Sequence, residues 1–300
     1  MTGIEQIDGG FRVTTPDAAY RNAVDEACGQ VNLCAKGDEL GKRMPKLEDS
    51  AAVKALFDAH PFDCVVHLAA RAGVRPSLEN PTAYVRTNVL GTTNILNEMQ
   101  AHGVKKLVFA SSSSVYGNCP EEMFSEDLKV TEPISPYAAT KSACEQICYT
   151  YCHLYGIRTV CLRFFTVYGP RQRPDLAIRK FVEKIERGEP IEMYGDGTTK
   201  RDYTFIADIV KGIRAAIAYD RTPYEIVNLG GGEPITLARM IATIEKVLGK
   251  TAQIVKKPMQ PGDVVKTVCD WSKAKRLFGY VPSTKFEDGI RAFVEWRRAR

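Results

Sequence analysis

Beyond residue 48 the chain alternates short apolar runs with helix-length stretches, and this alternation is what most restricts its fold. Runs at 64–68, 107–110 and 158–163 have strand length and strand composition. Helical spacing is found over 51–58, 83–102, 136–155, 177–187, 208–219 and 237–248, the fourth ended by Gly188 ahead of Pro190. Strands separated by helices pair in parallel, because each return crossover must bury its own apolar face against the sheet. The predicted class is α/β with a parallel sheet.

The run Lys105-Lys-Leu-Val-Phe-Ala110 reads as a buried strand with charge before it,. Ser111-Ser-Ser-Ser114 follows, at the carboxyl end of that strand, where open α/β sheets bind ligands,. Four serines after a strand are also compatible with a plain polar loop. About 25 residues on, Ser135-Pro-Tyr-Ala-Ala-Thr-Lys141 places Tyr137 and Lys141 four apart on one helix face,. An ammonium ~5 Å from a phenolate stabilises it by about 3 kcal/mol at an effective dielectric of ~20, which makes a base usable near neutral pH. The spacing alone also occurs in ordinary surface pairs. Serines and the Tyr-x-x-x-Lys pair together point to proton-and-hydride chemistry.

Composition narrows the class further. Three hundred residues with 44% hydrophobic content suit one large α/β unit, or one with a smaller lobe,. No apolar stretch approaches the ~18 residues of a membrane span, and the polar opening is unlike a signal peptide. The expected location is cytoplasmic, with no membrane partner. Net charge is +5 and scattered, with Arg297-Arg-Ala-Arg300 as a basic tail; nucleic-acid binding needs a clustered patch, and none is present. Nine cysteines without Cys-x-x-Cys argue against a disulfide framework,. Cys144, Cys148 and Cys152 recur every four residues, which reads as helix-face packing in preference to a metal stripe. No metal is expected.

Longer segments carry a family resemblance. They are Val65-Val-His-Leu-Ala-Ala70, Ala72-Gly-Val-Arg-Pro-Ser-Leu-Glu-Asn-Pro81, Thr87-Asn-Val-Leu-Gly-Thr92 and Phe109-Ala-Ser-Ser-Ser-Ser-Val-Tyr-Gly117. Further on stand Leu162-Arg-Phe-Phe-Thr-Val-Tyr-Gly-Pro-Arg171, Lys200-Arg-Asp-Tyr-Thr-Phe205 and Met259-Gln-Pro-Gly-Asp263. With these, residues 48–296 resemble the extended short-chain dehydrogenase/reductases acting on nucleotide sugars, most of all the UDP-glucuronate and UDP-glucose 4-epimerases. The resemblance implies a Rossmann-like sheet over 48–165 and 202–230. It also implies a smaller interleaved lobe for the nucleotide sugar over 166–201 and 231–300, NAD as cofactor, and a homodimer.

The first 47 residues depart from that pattern. Members of the family open with a strand, a Gly-x-x-Gly-x-x-Gly turn and a helix whose amino end holds the pyrophosphate. Here Met1-Thr-Gly-Ile-Glu-Gln-Ile-Asp-Gly-Gly-Phe11 has two adjacent glycines and no such turn. A misplaced start, a frame error and a degenerate protein would each produce this. Losing the turn's hydrogen bonds and helix-end charge costs ~4 kcal/mol, about a thousandfold in NAD affinity. The triple glycine in Asn228-Leu-Gly-Gly-Gly-Glu-Pro-Ile-Thr236 lacks the following Lys-Ser/Thr of a phosphate loop and reads as a turn before a helix,.

By resemblance, Tyr137 is the base for the sugar 4-hydroxyl, Lys141 stabilises its anion and binds the nicotinamide ribose, and Ser112 hydrogen-bonds the 4-oxygen. Cofactor contacts are implied for Asp49, Leu68, Ala69, Ala70, Asn88, Ser111, Phe164 and Phe165, besides Tyr137 and Lys141. Substrate contacts are implied for Arg75, Ser113, Ser114, Thr166, Arg173, Arg201 and Asp263, with Thr166 and Arg173 near a substrate carboxylate, to which an Arg fork is suited. Gln260 replaces an Arg frequent in glucose epimerases, which favours the glucuronate branch. The implied reaction is C4 epimerisation of a UDP-sugar through a 4-keto intermediate. The alternatives are an impaired remnant that holds NAD weakly, and a 4,6-dehydratase; the latter usually carries Asp-Glu where this chain has Ser113 and Ser114.

Overall fold

The computed structural model describes residues 46–259 and 264–299 in full, together with two short strands near the start. Most of the atypical segment 1–47, and both Gln260 and Asp263, lie outside the described residues. In chain order the elements are β1 (Ile4–Ile7), β2 (Gly10–Val13), α1 (Ser50–Ala59), β3 (Val65–His67), α2 (Val74–Glu79) and α3 (Pro81–Tyr84). A π-helical turn (Val85–Leu90) leads into α4 (Gly91–Ala101), followed by β4 (Lys106–Ser112), a 3-10 turn (Ser113–Tyr116), α5 (Pro136–Tyr155) and β5 (Arg158–Phe164). Then come β6 (Thr166–Tyr168), α6 (Ala177–Arg187), β7 (Ile191–Tyr194), β8 (Lys200–Phe205), α7 (Ile206–Ala218) and β9 (Tyr224–Leu229). The chain closes with β10 (Pro234–Thr236), α8 (Leu237–Leu248), β11 (Ile254–Lys257), α9 (Ser272–Phe278) and α10 (Phe286–Arg298).

Two compact units divide the chain, the first comprising 1–117, 129–163 and 213–227, the second 118–128, 164–212 and 228–300. The sequence-based division assigned 118–128, 164–165, 202–212 and 228–230 to the dinucleotide unit. These segments group instead with the second unit, where Asn228 takes a hydrogen bond partner in Phe124 and β8 pairs with β6 and β10.

In the first unit, β3, β4, β5 and β9 form a four-stranded sheet in that order. β3 and β4 run parallel, with Val65 opposite Leu107 and His67 opposite Phe109. β4 is buried on both faces, which explains its uninterrupted apolar run,. Leu96, Met99, Leu107, Phe109, Cys144, Cys148, Ile157 and Cys161 belong to one core. The cysteine stripe thus packs as small apolar side chains, and burial pushes the Cys144 thiol above its ordinary range.

α5 has the bounds its sequence signals predict. Ser135 Oγ accepts from the Ala138 amide at 3.1 Å and Pro136 fills the first turn,. Gly156, at φ 66°, ends the helix in the left-handed conformation that a Cβ disfavours,. The expected continuous helix over 83–102 is interrupted by the π turn at 85–90. Thr92 and Thr93 return their hydroxyls to the Asn88 and Val89 carbonyls at 2.6 and 2.9 Å, and the Asn88 side chain is drawn away to a loop and to α5. Such competition for backbone carbonyls widens a helix locally.

In the second unit β8 lies between β10, antiparallel to it, and β6, parallel to it. β7 and β11 form a separate parallel pair. Ile178, Val182, Ile185, Ile241, Ile244, Ile290 and Phe293 pack together beneath them, joining α6, α8 and α10. Among the described residues no helix is long and apolar enough to cross a membrane.

Candidate active site

The first unit brings the serine strand and the Tyr137 helix into direct contact. Lys141, 3% exposed, donates from Nζ to the Ala110 carbonyl at 2.7 Å and lies 4.9 Å from the centre of the Phe109 ring. One helical turn further, Glu145 Oε1 accepts from Ser111 Oγ at 2.5 Å. Two successive residues at the carboxyl end of β4 are therefore held by side chains i and i+4 of α5. The Ser111 hydroxyl is committed to this contact.

Ser112 ends β4 and starts the 3-10 turn. Its Oγ accepts from the Ser114 amide and donates to Ser114 Oγ, each at 3.2 Å. These are long bonds for a hydroxyl, and a better acceptor would displace the second. Ser113 is buried beside it.

Tyr137 stands in the first turn of α5, half-buried, its ring edge-on to Tyr84 with centroids 6.2 Å apart. Tyr84 is itself fixed by donating to the Ala72 carbonyl at 3.1 Å. The Tyr137 hydroxyl makes no hydrogen bond among the described residues. It shares a helix face with an ammonium that spends one of its three donors on Ala110,.

Asn88 is locked from three sides. Its oxygen accepts from the Arg71 amide at 2.8 Å, and its nitrogen donates to the Arg71 carbonyl and to Thr140 Oγ1, both at 3.0 Å. Thr140 lies between Tyr137 and Lys141, so the loop after β3 is tied to α5. Leu68, Ala69 and Ala70 begin that loop and are partly exposed. His67 pairs with Thr92 Oγ1 at 3.0 Å; burial, and then the Lys141 charge, bring its pKa down to about 3. It is a neutral imidazole at physiological pH.

Two other expected residues of this unit face outward. Asp49 is exposed and caps α1, accepting from the Ala52 amide at 3.1 Å. Arg75 is exposed on α2.

The remaining expected residues belong to the second unit. Phe165 is buried, its amide donating to the Leu229 carbonyl at 3.0 Å, while Phe164 and Thr166 are half-buried. Arg173 is held by Asp175 through Nε at 3.2 Å and Nη2 at 3.0 Å. Arg201 donates from Nη1 to the Lys200 carbonyl at 2.9 Å. Asp202, fully buried, accepts from the Gly231, Gly232 and Cys269 amides at 2.7, 2.8 and 3.0 Å, and from Thr204 Oγ1. The triple glycine thus cradles an anion, but the anion is an internal carboxylate. Burial raises the Asp202 pKa while the four donors pull against it,.

Sequence reading did not single out the ion pair behind the serines. Arg163 donates to Glu145 through Nε and Nη2, both at 2.8 Å, and through Nη1 to the Tyr116 hydroxyl at 3.0 Å. Burial opposes its charge, yet Glu145 and Tyr116 hold its pKa above the usual guanidinium value. The available signal was an Arg inside an apolar strand and a Glu on the buried helix face.

NAD is the cofactor that the family resemblance implies, and the donor set around α5 fits its ribose. Lys141 has two unspent N–H donors, and the Tyr137 hydroxyl can donate or accept.

Comparison with known proteins gives the family. Residues 40–230 match the NAD dependent epimerase/dehydratase family. The chain is 47% identical over 249 residues to a UDP-glucuronate 4-epimerase of Thermodesulfobacterium geofontis, across 82% of this chain and 76% of that protein. The crystal structure of UDP-glucuronic acid 4-epimerase from Bacillus cereus with UDP-glucuronic acid and NAD superimposes with a TM-score of 0.77, at 36% identity, over 82% of this chain and 78% of that one. UDP-glucose 4-epimerase of Thermotoga maritima with UDP-glucose gives 0.81 at 31% identity, over 85% and 83%. By sequence and by fold, the chain belongs to the NAD-dependent epimerase/dehydratase family of nucleotide-sugar enzymes.

Proposed function

We propose that this protein is an NAD-dependent UDP-sugar 4-epimerase whose substrate pair is UDP-glucuronate and UDP-galacturonate. The observation that carries the reading is the pairing of Tyr137 and Lys141, a phenol without a hydrogen bond among the described residues on the helix face of a buried ammonium.

Bound NAD supplies the acceptor and donor of hydride. Tyr137 takes the proton of the sugar 4-hydroxyl as C4 is oxidised and returns it after the 4-keto sugar has turned its other face. Lys141 stabilises the phenolate and holds the nicotinamide ribose through its spare donors. Ser112 turns its hydroxyl from Ser114 to the 4-oxygen, a bond that strengthens as charge collects there and so favours the transition state. Asn88, Ala69, Ala70, Phe164 and Phe165 line the cofactor.

For the sugar, Thr166 and Arg173 receive the C6 carboxylate. Asp175 takes Nε and Nη2 of Arg173, which orients the guanidinium and leaves Nη1 for the substrate. Ser113 and Ser114 complete the hexose contacts, Arg75 reaches the substrate, and Arg201 and Asp263 hold the diphosphate and uridine ribose. Ser113 and Ser114 supply no carboxyl for water elimination, which favours epimerisation over dehydration.

The proposed assembly is a cytoplasmic homodimer. Val85, Leu90, Tyr149, Leu154 and Tyr155 are large apolar side chains at least 41% exposed on the first unit's helical segments, as expected of a surface covered by a second copy,.

The test is incubation of purified protein with UDP-glucuronate and added NAD, followed by chromatography of the nucleotide sugars. UDP-galacturonate should appear with the total of UDP-sugars conserved. Turnover of UDP-glucose alone would move the assignment to the glucose branch, and release of a 6-deoxy-4-keto sugar to the dehydratases. No turnover of any of these would favour an epimerase fold that holds NAD too weakly to act.

A further inference from the structure

We infer that the Glu145–Arg163 ion pair is a clamp on both ends of the serine turn, and that it positions Ser112 for the reaction. This rests on the epimerase reading for its catalytic consequence only.

At the start of the turn, Ser111 Oγ donates to Glu145 Oε1. At its end, the Tyr116 hydroxyl accepts from Arg163 Nη1, and the guanidinium carbon lies 4.9 Å from the centre of the Tyr116 ring. Between these anchors lie only Ser112 to Val115, wound into the 3-10 turn that Ser112 caps. Gly117, at φ 57°, closes the segment, and a Cβ there would lie 2.6 Å from the Glu132 carbonyl. Both ends of the turn are thus hydrogen-bonded to the same ion pair.

The ion pair cannot move cheaply. Arg163 and Glu145 are 1% and 3% exposed, and their fork-to-fork geometry admits one arrangement,. Burying two charges is seldom a gain in stability over apolar packing. A pair kept at that cost, with both of its outer hydrogen bonds directed to the flanks of four residues, has a positional use. Rigid elements also supply the anchors: Arg163 is on β5 and Glu145 is on α5, one turn beyond Lys141, so the clamp keeps Ser112 in register with Tyr137 and Lys141.

Glu145→Gln is a poor first test, since it would leave Arg163 buried without its counter-charge. Ser111→Ala and Tyr116→Phe each delete one hydroxyl and leave the pair whole. Amide exchange by mass spectrometry on the full chain reads the clamp without any turnover. Each variant should speed exchange in 112–117 by about tenfold, the loss of one charge-assisted hydrogen bond, with 136–155 unchanged. Ser111→Thr should restore protection. Where the wild type turns over UDP-glucuronate, Tyr116→Phe should lower kcat by about tenfold with KM altered less than about twofold.

Unchanged exchange in 112–117 overturns the clamp. A uniform rise across the first unit reduces the pair to general stability and overturns it equally. Faster local exchange with an unaltered kcat removes its role in the reaction. A wild type without turnover on any UDP-sugar rejects the functional reading, and the exchange data still decide the clamp.

Discussion

Lys141 and the carbonyl of Ala110 are joined by a 2.7 Å hydrogen bond that crosses from α5 to the last apolar residue before the serines. This contact ties the Tyr-x-x-x-Lys helix directly to the strand that carries the serine loop. A charged group buried to 3% exposure is expensive unless satisfied, and here a backbone acceptor satisfies it from one side while two donors remain,. Lys141→Met keeps an unbranched side chain of similar length but removes the charge that lies over the Phe109 ring. Its kcat on UDP-glucuronate is expected to fall by about a hundredfold or more, measured at saturating NAD.

Tyr137→Phe removes the hydroxyl proposed to accept the proton and retains the ring contact with Tyr84. Turnover should drop by at least about a thousandfold. Calorimetric binding of UDP-glucuronate should stay within about threefold of wild type, since no ground-state contact of the ring is lost. Retained turnover would take Tyr137 out of the mechanism.

His67 makes acid stability predictable. Its folded-state pKa of about 3 lies below the ordinary 6.5 because burial, and then Lys141, disfavour the imidazolium. Between these values the unfolded chain binds a proton that the folded protein does not. Stability contributed by neutral His67 is therefore complete above pH 6.5 and lost as pH falls toward 3, by up to about 1.4 kcal/mol per pH unit. Urea midpoints of His67→Gln, recorded from pH 7 down to pH 4, should decline less steeply than those of wild type. Parallel curves would assign the acid sensitivity elsewhere.

Asp202 anchors the glycine turn through four hydrogen bonds. Asp202→Asn exchanges one acceptor oxygen for a donor that faces backbone N–H groups. It should cost about 2–3 kcal/mol, the penalty of buried donors left without a partner, read as a lower thermal midpoint.

Gly232→Ala probes the same turn from the other side. Its φ is 73°, and a Cβ would stand 2.4 Å from Trp271 Nε1. Strain and overlap together should destabilise by about 2 kcal/mol. A melting temperature equal to wild type would show that the turn is free to relax.

Much of this was legible in the residues before any coordinates. Helices 136–155 and 237–248 have the bounds their caps and glycines announce, because capping is a local matter of a side-chain oxygen and a few amides; helix 177–187 lacks a side-chain N-cap, and its sequence announced its end at Gly188. The serine strand and the Tyr-x-x-x-Lys helix were legible for a similar reason, since burial on both faces and i,i+4 spacing leave a linear trace. The π turn left none. It depends on Asn88 finding Arg71 and Thr140, 17 and 52 residues away, and no local pattern encodes such partners. The same holds for the glycines, whose anion is a side chain 29 residues earlier in the sequence. Sequence alone set which chemistry is available: a phenol, an ammonium and a hydroxyl. Tertiary structure alone decided that the hydroxyl stands between the two anchors of a buried ion pair, because hydrogen bonds between distant residues form only once the sheet and helices have packed.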